Sequence, residues 1–241
     1  IVYMIIFSFN EGKSLTSFSG FSLRWYKELF RDSSMFEALM NSIFLAFVSS
    51  FLAAIIGTFG AVGMAKVEYK SKGIVEYVSQ LPMMIPEIVL GMVFLTYFSL
   101  LNLPFGMLTL IIAHTAFCIP YVYMQVKARL VGLSPSYVEA AKDLGASELR
   151  AFFDITLPLV LPAILSGMLL SFAMSFDDVI ISVFVTGVDV NTLPIKVYSQ
   201  IKTGVTPKIN ALCTLMFIAT VLVLIISNFV GKKGKVDNNE K

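Results

Sequence analysis

The chain has 241 residues, 57% hydrophobic and only 14% charged, with a net charge of +2 and a mean hydropathy of +0.82. Soluble domains carry about 25% charged residues, so the composition excludes an ordinary soluble domain, and so small a net charge gives no footing for nucleic-acid binding. The apolar residues fall in long runs separated by short polar loops, the pattern of an all-α, polytopic helical membrane protein.

Residues Ile1 to Phe9 are too few to span, since crossing about 30 Å of hydrocarbon takes about 20 helical residues. They read as the outer end of a first span. Asn10 to Glu37 is polar and mixed in charge. Within it Trp25 and Tyr26 suit a headgroup-level position, and Phe21 to Tyr26 a short interfacial helix. Leu39 to Ala65 is a second span whose Gly57, Gly60 and Gly63 favour close helix packing. A basic turn, Lys66 to Lys72, follows.

Ile74 to Leu101 forms a third span, broken by Pro82 and Pro86 and followed at the break by Glu87. Met107 to Val126 is a fourth, with His114 and Pro120 inside it and Lys127 and Arg129 closing it. A polar insert comes next, and then a fifth span, Leu159 to Phe176, ending in Asp177 and Asp178. Val179 to Val185 either extends that span or folds back. Val188 to Lys208 is polar, Ala211 to Val230 is the last span, and 231–241 is a charged tail. The expected division is a transmembrane domain over 1–230 and a tail over 231–241. Cys118 and Cys213 lie in separate apolar runs and read as small apolar side chains.

Lys and Arg fix the orientation. The basic turn, the insert with its lead-in, and the tail carry eleven, whereas the opposite loops carry seven over greater length. The positive-inside rule places the insert and the C-terminus in the cytoplasm.

Within the insert, residues 134–158, Ser136 and Glu139 fit a capping box, with Ser134–Pro135 a competing start. Gly145 supplies a left-handed end to the first helix, and Ser147 caps a second, with Glu148 favourable in its first turn. Val138, Leu144, Leu149 and Phe152 offer an apolar face, and the small Ala140 and Ala141 keep the surface low enough to enter a groove.

Glu87, Asp177 and Asp178 are the candidate substrate-path residues. A carboxylate at the bilayer centre costs about 2.5–3.5 kcal/mol on insertion scales, so it faces a cavity or a partner. The competing reading makes the Asp pair a turn cap at an interface. His114, alone in an apolar span, reads as a hydrogen-bonded packing residue, and no His or Cys spacing forms a metal site. No G-x-x-x-x-G-K-[ST], G-x-S-x-G or H-E-x-x-H pattern is present. The chain therefore has no Walker A loop of its own and no common hydrolase motif.

Read as E-A-A, three residues, G, nine residues, I, one residue, L-P, Glu139 to Pro158 resembles the EAA signature of ABC-importer permeases. The resemblance extends over nearly the whole chain and is nearest to the C-type permease of spermidine/putrescine importers. It is carried by Glu139–Glu148, Leu170–Phe172, Asp177–Val179, Phe184–Gly187, Leu193–Ser199, Asn210–Leu212 and His114–Pro120. It implies the type I importer permease fold with six spans, five of them complete here, in a bacterial inner membrane. It also implies a non-catalytic subunit coupled to its ATPase through Glu139, Ala140, Ala141, Asp143, Leu144, Gly145 and Glu148. The implied partners are a second permease, an ATPase dimer that holds ATP and magnesium, and an extracytoplasmic polyamine-binding protein. This chain then holds no cofactor. The family position matched by Glu87 is often Asp, which keeps the charge but changes the reach. Permeases for iron, thiamine or molybdate share the EAA segment, so an importer of another solute is the main rival. An ion-driven secondary transporter, unsupported by any inverted repeat, and an intramembrane enzyme built on His114 or the Asp pair stand further off.

Overall fold

Proline and the apolar runs set where the helices begin and end. The computed structural model describes residues 1–67, 70–203 and 206–236. Glu68 and Tyr69 of the basic turn, two residues of the polar stretch before the last span, and the end of the tail (237–241) lie outside the described residues. The helices are α1 (Val2–Ser8), α2 (Arg24–Arg31), α3 (Ser33–Lys66), α4 (Lys72–Met84), α5 (Glu87–Leu100), α6 (Met107–Val131), α7 (Ser136–Asp143) and α8 (Glu148–Ala151). A π-helical turn (Phe152–Thr156) leads to α9 (Leu157–Asp177), α10 (Ile180–Val185), α11 (Leu193–Thr203) and α12 (Pro207–Val236). Among the described residues the only β pairing is an isolated bridge between Asn10 and Phe21.

Among the described residues, four helical stretches are long and apolar enough to cross a membrane: Ser33–Lys66, Met107–Val131, Glu148–Asp177 and Pro207–Val230. The broken pair α4–α5 makes a fifth if it counts as one span. The break falls at one of the two prolines. Pro82 sits inside α4, while Ile85 and Pro86 are extended, with ψ 133° at both. Proline pushes the residue before it out of the helical region, which is why the chain stops at Ile85 and restarts at Glu87.

The described residues divide into two units. The first comprises Ile1–Val48, Pro86–His114 and Ala173–Leu222. In it Asp32 caps α3, its Oδ1 accepting from the amides of Ser34 and Met35 at 3.1 and 3.3 Å. Ser42 Oγ accepts from the Leu193 amide at 2.7 Å, and Asn41 donates to the Asn191 carbonyl at 3.1 Å. These bonds pin the start of α11 to α3. The stretch read as simply polar thus holds an eleven-residue helix, a departure caused by α3 supplying partners that the local sequence does not. Trp25 is packed inside this unit. It is 5% exposed, with its indole N–H donating to the Asn10 carbonyl at 2.6 Å, because the loop before α2 folds over it.

The second unit comprises Ser49–Ile85, Thr115–Phe172 and Val223–Lys241. A Cβ on Gly57 would stand 3.0 Å from the Tyr123 amide nitrogen and 3.1 Å from the Ile119 carbonyl oxygen, so α3 meets α6 backbone to backbone there. Gly60 is looser, and a Cβ on Gly63 would meet no described atom within 4 Å, so of the three glycines Gly57 makes the close approach. Ser171 Oγ donates to the Cys118 carbonyl at 3.3 Å, tying α6 to α9. Ser166 and Ser227 each donate to the other's carbonyl, at 3.1 and 2.9 Å, tying α9 to α12. Small hydroxyl residues of this kind join helices in apolar surroundings. The fourth span runs past its expected end. Lys127 reaches Glu76 at 2.8 Å and Arg129 Nε donates to the Leu159 carbonyl at 3.0 Å, so α6 continues through both cations.

Candidate functional site

The insert is built from local backbone rules. Gly145 has φ +86°. The amide of Ala146 reaches the Ala141 carbonyl at 3.0 Å and that of Gly145 the Lys142 carbonyl at 2.8 Å. This is a Schellman end to α7, with glycine where the left-handed residue belongs. Ser147 Oγ accepts from the Arg150 amide at 3.3 Å, capping α8 as its position anticipates.

Three details differ from the sequence expectation. Among the described residues no side chain caps α7. Ser136 pairs its hydroxyl with Ser134 at 2.7 Å instead of forming a box with Glu139, because Pro135 starts the turn one residue early. The second helix of the insert is not separate either. It passes through the π turn directly into α9, because four residues of α8 are too short to end before the apolar run begins. The four apolar residues also do not share one face. Phe152 is 8% exposed and stacks on Phe59 at 5.8 Å, while Leu144 and Leu149 are 90% and 72% exposed.

Glu148 forms the node of the insert. It meets Lys66 at the end of α3 at 2.9 Å and also pairs with Lys142 of α7. The sequence showed these cations only in the charge count that fixed orientation, since no spacing links positions 66 and 148. Beside them is a cleft of about 450 Å³ bordered by Lys66, Leu133, Tyr137, Glu139 and Ile155. Glu139, Ala140, Asp143 and Leu144 are exposed, and Ala141 is half-buried.

In the first unit α10 folds back onto α5. A Cβ on Gly91 would be 2.5 Å from the Phe184 ring, and Thr109 Oγ1 donates to the Val185 carbonyl at 2.8 Å. Of the two readings for Val179–Val185, the structure shows a separate short helix. The neighbouring aspartates separate in role. Asp178 is 8% exposed and accepts from the Ile181 amide at 3.2 Å and from the Ser182 amide and hydroxyl at 2.8 and 2.9 Å. Asp177 and Glu87 are exposed. All three predicted carboxylates lie in the first unit, Glu87 at the start of the helix α5 on which α10 packs. His114 is fully buried, 2.7 Å from Ser175 Oγ, 3.0 Å from Ser182 Oγ and 3.4 Å from Asp178.

The family described as binding-protein-dependent transport system inner membrane component matches residues 53–232. The chain belongs to this family. The insert and the three carboxylates all lie within the matched range. The spermidine/putrescine transport system permease protein PotC of Haemophilus influenzae is 39% identical over 233 residues, 97% of this chain and 91% of that one. The putrescine transport system permease protein PotI of Escherichia coli is 40% identical over 230 residues, 92% and 82% of the two chains. Among solved structures, a bacterial ABC transporter involved in alginate import aligns with TM-score 0.70 at 16% identity, covering 94% of this chain and 88% of that one. The MetNI methionine transporter, inward facing, aligns with TM-score 0.68 at 17% identity, covering 88% and 99%. Both show the fold, that of an ABC-importer permease. As an inner-membrane component, this chain is a membrane transport subunit.

Proposed function

We propose that this chain is one of two permeases in an ATP-driven importer of polyamines, lining half of the path. The reading is carried by its likeness, over nearly its whole length, to permeases named for spermidine/putrescine and for putrescine transport. The carboxylates fit that cargo independently. A polyamine entering the membrane sheds water from several ammonium groups, and exposed anions at Asp177 and Glu87 offset that loss. Asp178, its oxygens held by the start of α10, adds charge without contact.

The insert, residues 134–158, docks on a separate ATPase that binds ATP and magnesium, presenting Glu139, Ala140, Ala141, Asp143 and Gly145 with the bare Leu144 and Leu149. Glu148 ties the docked α7 to α3, so ATPase closure pulls on a membrane helix. The remaining partners are the second permease and an extracytoplasmic polyamine-binding protein. The C-terminal tail faces the cytoplasm.

The test is uptake of labelled putrescine and spermidine by cells lacking their own importers and expressing this chain with its companion subunits. Saturable uptake is expected, falling at least tenfold in Asp177→Asn with assembly unchanged. An assembled, ATP-hydrolysing complex that takes up neither would make it an importer of another solute.

A further inference from the structure

With His114 neutral and Asp178 ionised, the buried polar node around His114 has one consistent arrangement of protons. The Ser182 hydroxyl donates to Asp178 Oδ2 at 2.9 Å, so its lone pairs remain for an incoming donor. His114 Nε2, 3.0 Å away, supplies that donor. A neutral imidazole then accepts at Nδ1, where Ser175 Oγ stands at 2.7 Å and donates. The relay therefore runs Ser175 to His114 to Ser182 to Asp178. It links α9, α6 and α10 and ends on a buried carboxylate that also holds two amides of α10. His114 Nε2 also stands 3.4 Å from Asp178 Oδ2, and His114, Ser175 and Ser182 are all buried, so none of them touches a passing solute.

Such a relay fixes more than packing. Asp177 and Asp178 are consecutive, at the junction between α9 and α10, and one is exposed while the other is buried. The bonds from the Ile181 and Ser182 amides to Asp178 fix how this junction is turned. The anchor is Asp178, which precedes α10 and bonds to its first turn; Ser182 Oγ and His114 Nε2 hold it from one side, and His114 also holds Ser182.

We propose that His114 is a positioning residue for substrate. By locking Ser182 and Asp178 it keeps the Asp177 carboxylate turned into the cation path. The proposal rests on the polyamine reading above. Loss of His114 then weakens capture of the cation and leaves the ATPase cycle intact, so KM rises while maximal uptake is largely kept. Because the effect passes through Asp177, it vanishes once Asp177 carries no charge.

The experiment is a double-mutant cycle in the whole complex, with putrescine and spermidine as probes and assembled complex quantified by co-purification. His114→Leu is expected to raise KM about tenfold in the wild-type background and to leave the KM of Asp177→Asn unchanged. His114→Gln, which retains an N–H, is expected to recover most of the loss. Ser182→Ala, which removes one hydroxyl, is expected to repeat the pattern and serves if His114→Leu does not assemble. Equal fold-changes in both Asp177 backgrounds, or reduced assembly at unchanged KM, would overturn the proposal and leave His114 as packing. Absence of polyamine uptake by the wild-type complex is a different failure. It removes the substrate reading and this proposal with it.

Discussion

Asp32 and Lys208 are 176 positions apart in sequence and meet at 2.6 Å. One oxygen of Asp32 caps α3 while the other takes the Lys208 ammonium at the start of α12. The hydrogen bond from Lys208 is the main reason the Asp32 carboxyl titrates at about 2 instead of near 3.8, against a desolvation cost that pushes the other way. A carboxyl whose pKa is lowered by folding adds stability above its unfolded value, and that stability disappears as pH falls towards about 2. Lys208→Met is expected to cost about 1–2 kcal/mol at pH 7 and to flatten the loss of stability between pH 4 and 2. Thermal unfolding of the detergent-solubilised chain across that range checks both.

Glu148 is the cytoplasmic counterpart, holding Lys66 and Lys142 together. Its setting is open to solvent, where ion pairs add little to stability, so Glu148→Gln is expected to shift the melting temperature by no more than a few degrees. Uptake per ATP hydrolysed is expected to fall severalfold, because α7 is no longer tied to α3. Equal losses of uptake and hydrolysis would place the defect in docking instead.

Gly57 and Gly63 make a matched pair on α3. Gly57→Leu drives a side chain into the α6 backbone and is expected to cost about 1–3 kcal/mol. Gly63→Ala meets nothing within 4 Å and is expected to gain up to about 1 kcal/mol from helix propensity alone. Melting temperatures of the two variants separate a packing glycine from a spare one.

At Gly145 a Cβ meets nothing within 4 Å, yet φ is +86°. The penalty for Gly145→Ala is therefore purely backbone, about 1–2 kcal/mol, and Gly145→Asn is expected to cost less. Hydrogen exchange in α7 reads the strain directly: protection falls in the alanine variant and is mostly kept with asparagine.

Much of this was written in local chemistry. Long apolar runs place the spans, because backbone polar groups in lipid must be satisfied within the segment. Gly145 and Ser147 end one helix and start the next through conformations that few other residues offer. The spacing from Glu139 to Pro158 identified the insert. Sequence alone was less sure at Ser136, where Pro135 overrode the capping box, and at the two prolines, of which only Pro86 ends a helix.

What the tertiary structure decided were relations between residues far apart in the chain. Composition names three carboxylates near membrane depth, but only the return of α10 onto α5 makes Asp178 a buried anchor and leaves Asp177 and Glu87 exposed. Lys66 and Glu148 carry no sequence signal of pairing, and neither do His114, Ser175 and Ser182. Local pattern determines helices because their hydrogen bonds close within four residues. Which polar side chains satisfy one another inside an apolar unit depends on how those helices pack.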